Sequence, residues 1–205
     1  MDQQKNFSIK ASILEAYSLT KDNFLFFVKI LFFILILNII FSLLIDFLFT
    51  KNNLLKNIFN LLFSIFIEIG FIVISLKIYN KEKVEFNELF LNYKYFLNYF
   101  LAKIIYFILI FLGFILLIIP GIIIGLRLQF FNYLIFEKNL NIIESFKTSW
   151  KITKGFTLKL FLLSIILTLI NLLGLLFFLI GLFFTIPLTR LISISVYKKL
   201  SLNNV

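Results

Sequence analysis

The chain has 205 residues, of which 61% are apolar and 15% charged; its net charge is +10 and its mean hydropathy +1.06. Soluble domains average about 45–50% apolar and about 25% charged, so a soluble globular domain is excluded. Disorder, collagen and coiled coil go with it. Continuous rather than alternating apolar runs exclude a lipid-facing β-barrel, and an all-α integral membrane protein remains.

Ser8–Asp22 opens the chain as an amphipathic stretch. The first span follows at Phe24–Phe49. Its apolar run is too long for the core of a signal peptide and no A-x-A site follows, so it is expected to stay in the protein. The second span covers Leu54–Tyr79 and carries Glu68 between Phe66-Ile67 and Ile69-Gly70. A second amphipathic stretch, Val84–Tyr95, places Phe86, Leu89, Phe90, Tyr93 and then Leu97 on one helical face.

The third span, Leu97–Ile119, is expected to end at Pro120-Gly121. The fourth, Ile122–Phe136, is short and carries Arg127. Gly121-x-x-x-Gly125 permits close helix approach, so Pro120, Gly121 and Gly125 are assigned to helix packing. The third amphipathic stretch, Asn141–Lys154, sets Ile142, Ile143, Phe146 and Trp150 on an apolar face. Lys147, Lys151 and Lys154 form a polar stripe. Such a helix lies at the membrane interface, rings down and ammonium groups toward anionic phospholipid. It serves either as an anchor or as a contact for lipid or a partner. Spans at Phe156–Leu173 and Leu175–Tyr197 complete a set of six.

The three amphipathic stretches align on Glu15, Glu88 and Glu144. An aromatic follows two residues later (Tyr17, Phe90, Phe146) and a lysine 14 or 15 residues later (Lys29, Lys103, Lys159). The expected unit is therefore interfacial helix, span, span, in three tandem copies near 8–80, 84–138 and 140–200 of a single membrane domain. Parallel copies imply an approximate axis along the membrane normal.

With both termini in the cytoplasm, all Lys and Arg except Lys51 and Lys56 fall on the cytoplasmic side. That satisfies the positive-inside rule. Abundant Lys, Asn, Ile and Phe with scarce Ala suggest an A+T-rich bacterial genome, hence a bacterial cytoplasmic membrane. The excess charge reads as lipid attraction and orientation rather than nucleic-acid binding.

Glu68 and Arg127 are costly inside a bilayer and have no neutralising neighbour in sequence. They lie 14 residues before Glu82 and 10 before Glu137, which puts their depths within about 5–6 Å. Two readings follow: a buried Glu68–Arg127 pair, or a charged gate or ligand contact. Asn38, Gln129, Asn132 and Asn171 are candidates for bonds across helices.

No Cys and no His are present. Thiol, zinc, haem and imidazole chemistry are thereby removed. No Walker loop, GxSxG or dinucleotide fingerprint occurs, so no cofactor and no catalytic residue are assigned.

Pro120-Gly121, Arg127, Glu137, Glu144, the run Ser149-Trp150-Lys151-Ile152-Thr153-Lys154-Gly155, then Pro187 and Tyr197 occur in a recognisable order. Over residues 110–200 the chain resembles the six-helix bacterial membrane families that include the YciC-like proteins and the membrane domain attached to some glycerophosphodiester phosphodiesterases. In such proteins the chemistry belongs to a separate soluble domain, so the resemblance implies no enzymatic activity here. Two functions are weighed: a non-enzymatic module that organises lipids or partner membrane proteins, and a small transporter or permeation protein. An enzyme acting on lipid is the weakest reading.

Overall fold

A computed structural model describes residues 7–177 and 180–202. The described residues are helical and contain no strand. Ten helices follow in chain order: α1 Ile9–Asp22, α2 Phe24–Leu48, α3 Asn53–Tyr79, α4 Glu88–Leu91, α5 Phe96–Leu116, α6 Ile118–Leu128, α7 Phe131–Lys138, α8 Ile142–Ile152, α9 Thr157–Leu176 and α10 Leu182–Leu202. A 3₁₀ turn, Tyr93–Tyr95, joins α4 to α5.

Five stretches are long and apolar enough to cross a membrane: α2, α3, Glu88–Leu116, Ile118–Lys138 and α9. The expected sixth, Leu175–Tyr197, differs. Its first residues belong to α9, Phe178 and Leu179 lie outside the described residues, and α10 falls short of the same apolar standard. Arg190, Lys198, Lys199 and five Ser or Thr lower its hydropathy. These groups are tolerated because α1, α2, α3 and α9 all pack on α10 and screen it.

Of the apolar window of α3, 61% is buried, against 11% for α2 and 17% for α9. The centre is therefore α3 and α10, where Ile69, Ile72, Ile74, Leu191, Ile192, Ile194 and Tyr197 are buried. Leu35, Ile39, Ile40, Leu43 and Phe47 of α2 face outward, as suits a lipid-facing helix, since lipid tails are as apolar as leucine.

One end of the bundle carries most of the charge. There Glu15 accepts hydrogen bonds from Tyr79 (2.7 Å) and Ser195 (2.8 Å) and pairs with Lys199 at 2.9 Å. Glu137 accepts from Tyr197 (2.7 Å) and pairs with Lys198, and Lys77 pairs with Glu88. The C-terminal ends of α3, α7 and α10 thus meet in one polar layer. Burial alone would raise the Glu15 carboxyl, but the bonds from Lys199, Tyr79 and Ser195 outweigh it and hold the group below its usual range. At the other end the Lys56–Asp46 pair spans 3.0 Å.

The three amphipathic elements pack on other helices: α1 on α10, α4 on α3, α8 on α7. The residue after each aligned glutamate is buried at these contacts: Ala16 and Ser145 at 0% exposure, Leu89 at 1%.

Two boundaries depart from expectation. The third span ends at Leu116, and the break is Leu117, which is extended (φ −167°, ψ 156°). Pro120 lies in the first turn of α6, where a missing N–H removes no helical bond; it helps start a helix rather than ending one. The second amphipathic stretch is not one helix but α4 plus the 3₁₀ turn. Asn92 donates its side-chain amide to the Glu88 carbonyl at 2.8 Å, a local bond that competes with helix propagation.

Candidate functional site

Helices α6 and α7 are the two halves of one candidate span, interrupted at Gln129-Phe130. A break inside a membrane-crossing segment would free backbone groups that lipid cannot satisfy. Helix α8 supplies the partners. Ser149 donates its hydroxyl to the Arg127 carbonyl at 2.8 Å and accepts from the Phe130 N–H at 3.3 Å. The Thr153 hydroxyl donates to the Ser149 carbonyl at 2.7 Å and lies 3.1 Å from the same Arg127 carbonyl. Ser145, Ser149 and Thr153 are all 0% exposed. They stand four residues apart, one stripe on the docked face of α8.

The side of α8 that packs on the bundle is the hydroxyl stripe together with Phe146. Phe146 packs on Phe131 with ring centres 5.3 Å apart, but Ile143 and Trp150 remain exposed. The small buried face of Ser145, Ser149 and Thr153 lets α8 approach the bundle closely, with Ser149 making the hydrogen bonds across and Phe146 packing beside it. The i, i+4, i+8 hydroxyl pattern was visible in the sequence; hydrophobic periodicity, being the stronger signal, masked it.

The expected Glu68–Arg127 pair does not form. Glu68 pairs with Lys103 of α5. Arg127 lies over the Trp150 ring at 3.7 Å and donates to the Trp150 carbonyl at 2.8 Å. Matching depth did not fix azimuth: Glu68 faces α5, whereas Arg127 sits at the C-terminal end of α6 and turns toward α8. A cation on an indole face contributes about 0.5–2 kcal/mol, so Arg127 and Trp150 clamp α8 across the break. The Arg127 Nε is buried and has no partner among the described residues.

Around Glu68 a second polar group collects. The Lys103 ammonium is 5.7 Å from the Tyr99 ring centre. Arg190 of α10 lies 5.9 Å from the Phe71 ring centre and interacts electrostatically with Tyr133, Glu68 and Tyr99. Lys103 was legible as one of three lysines that follow an aligned glutamate by 14 or 15 residues. Arg190 had no sequence signal beyond its charge.

Lys147, Lys151 and Lys154 are exposed beside Ile143 and Trp150. Gly121 fits where stated: a Cβ there would meet the Phe114 ring at 2.7 Å, and one on Gly113 would meet Gly121 itself at 2.8 Å. Gly125 differs. A Cβ there would make ordinary contacts from 3.4 Å, and its visible role is to accept the Tyr106 hydroxyl at 3.0 Å. Among the four amides, Asn171 bonds across helices, to Thr189 at 3.3 Å. Asn38 and Gln129 bond their own helices, and Asn132 accepts from the neighbouring Tyr133 N–H.

The broken span, its α8 brace and the Glu68–Lys103–Arg190 group all lie between residues 52 and 202, the stretch matched by the model of a domain of unknown function, DUF7847. The chain belongs to the DUF7847 family. The DUF7847 match runs from just before α3 through the end of α10, so it includes both polar groups and the Lys-bearing α8. No curated protein and no solved structure matches the chain.

Proposed function

We propose that this DUF7847 protein is a non-enzymatic membrane module that gathers anionic phospholipid, and with it partner membrane proteins, at the charged end of its bundle. The observation that carries this reading is α8: one side is docked by Ser145, Ser149 and Thr153 while Lys147, Lys151 and Lys154 stay exposed beside Ile143 and Trp150. Exposed apolar groups beside several ammonium groups are the composition of an interfacial helix, and each lysine near an anionic surface contributes about 1 kcal/mol.

In this reading α10 is the sixth span, screened by its neighbours, and both termini face the cytoplasm of a bacterial inner membrane. The three units form a ring, since each interfacial element rests on the second span of the preceding unit and α1 closes the ring on α10. The resemblance to YciC-like membrane domains, which accompany activities located elsewhere, agrees with a supporting role.

Replacing Lys147, Lys151 and Lys154 together with Gln is expected to lower retention of phosphatidylglycerol or cardiolipin in native mass spectrometry while the fold stays assembled. Lys94→Gln in the Val84–Tyr95 copy should change little, because Glu85 and Glu88 oppose it there. Equal loss in both, or loss in neither, overturns the lipid role of α8. For topology, reporters fused at Asn53 and Val205 should lie on opposite sides of the membrane; a common side rejects the six-span arrangement.

The second reading, a small transporter, is favoured by the Glu68–Lys103–Arg190 group inside the bundle, because intramembrane ionisable residues commonly mark ion or substrate paths. Flux in proteoliposomes abolished by Glu68→Gln would select it.

A further inference from the structure

Two recesses open on the surface of α10 and share one residue. On the α2 side an apolar groove of about 400 Å³ is lined chiefly by Leu31, Ile34, Leu182, Phe183 and Ile186. On the α9 side a recess of about 270 Å³ is lined by Ile186 with the polar groups of Asn171, Thr189, Arg190 and Ser193. Ile186 lines both, so the apolar groove and the polar recess adjoin across one side chain of a single helix. From Leu182 to Arg190 is eight residues, a rise of about 12 Å. The polarity is ordered, with the apolar end away from the charged end of the bundle and the cation toward it.

The charges give the polar recess its sign. The carboxylate that acts electrostatically on Arg190, Glu68, is held by Lys103, and among the described residues no carboxylate is in ion-pair contact with Arg190. Two cations therefore share one carboxylate, which leaves a net positive charge beside the recess. The remaining groups within reach of Arg190, Tyr99 and Tyr133, are neutral phenols. Guanidinium is the side chain suited to a planar, two-point grip on an oxyanion. Asn171 uses one amide N–H on Thr189 and has a second to offer.

We propose that these two recesses are one binding site for an anionic phospholipid of the surrounding bilayer, with its phosphodiester at Arg190 and Asn171 and an acyl chain in the α2–α10 groove. The polar volume is below the 300–1,000 Å³ usual for a whole drug-sized ligand and suits a headgroup fragment. The apolar trough is the reason a lipid, rather than free phosphate, is the fitting occupant. This site is separate from the exposed lysines of α8 and does not depend on them.

The test uses the full chain with Lys147, Lys151 and Lys154 already changed to Gln, so that interfacial lipid is removed. Native mass spectrometry should then find one retained phosphatidylglycerol and no comparable retention of phosphatidylcholine. Arg190→Gln should weaken that retention about tenfold or more, the loss of one charge-assisted contact, and Arg190→Lys should restore part of it. Ile186→Trp, which fills the joint between the recesses and leaves every charge in place, should also release the lipid. It decides the matter if Arg190→Gln does not fold. The proposal is overturned if no lipid is retained, if phosphatidylcholine is held equally, or if both variants keep phosphatidylglycerol as the parent does. Displacement of the lipid by excess inorganic phosphate alone would also overturn it, since that identifies a free-anion site without a chain.

Discussion

Glu68→Gln is expected to destabilise the protein by about 1.5–3 kcal/mol, the range for a hydrogen bond to a charged group, since the Lys103–Glu68 pair is partly buried. The change strands two cations, Lys103 and Arg190, around a neutral amide. Lys103→Met should cost less, because Glu68 then still has Arg190 within electrostatic reach. The double variant Glu68→Gln, Lys103→Met should be more stable than the sum of the two losses, the signature of residues in contact. Glu68→Gln combined with Arg127→Gln should be additive, because Arg127 belongs to Trp150. Thermal unfolding in detergent of these four variants and of Arg127→Gln alone completes both comparisons. Additivity for Glu68 and Lys103, or strong coupling of Glu68 to Arg127, would reject the arrangement.

Gly70→Ala should be at least as damaging. A Cβ on Gly70 would stand 2.2 Å from the Leu89 carbonyl oxygen and 2.6 Å from the Leu89 Cα. The obstacle is backbone, so no rotamer change relieves it. Helix α4 must lift from α3, uncovering Leu89 and loosening the Lys77–Glu88 pair. Overpacking costs about 1–3 kcal/mol and exposing a buried leucine about 1.5–3 kcal/mol, so a loss of about 3–5 kcal/mol is expected. Gly125→Ala is the control. Its nearest contact is 3.4 Å and alanine is the better helix former by about 0.5–1 kcal/mol, so it should be neutral or slightly stabilising. Comparable losses in both variants would mean that the α3–α4 contact is not what Gly70 protects.

Continuous apolar runs placed α2 and α3 within a few residues of their observed ends, because length and hydropathy alone set such spans. Ser8 and Asn141 cap α1 and α8 by accepting from Ala11 and Glu144, a signal local enough to be visible in sequence. Helix α10 was harder. Its polarity contradicts exposure to lipid, and only tertiary screening by four neighbours explains it. Pro120 misled because proline both stops a helix and starts one, and sequence alone does not show which side of it the chain bends. The Glu68 partner was missed for a related reason. Counting residues gives depth along a helix axis but not rotation about it. Rotation here is set by close approaches such as Gly70 on Leu89 and Gly113 on Gly121.

The contact between Glu15 and Ser195 joins residues 180 apart in the chain. At synthesis rates of about 5–20 residues per second, α1 waits roughly 10–40 s for α10 to appear. During that wait its Ser12–Ala16–Thr20 face has no helix to rest on, and the Glu15 carboxylate has none of its α10 donors. The first element made is therefore among the last to settle. Closure of the bundle becomes a late checkpoint in biogenesis, and a chain truncated anywhere before α10 leaves its own N-terminal helix as an undocked amphipathic surface for quality control to find.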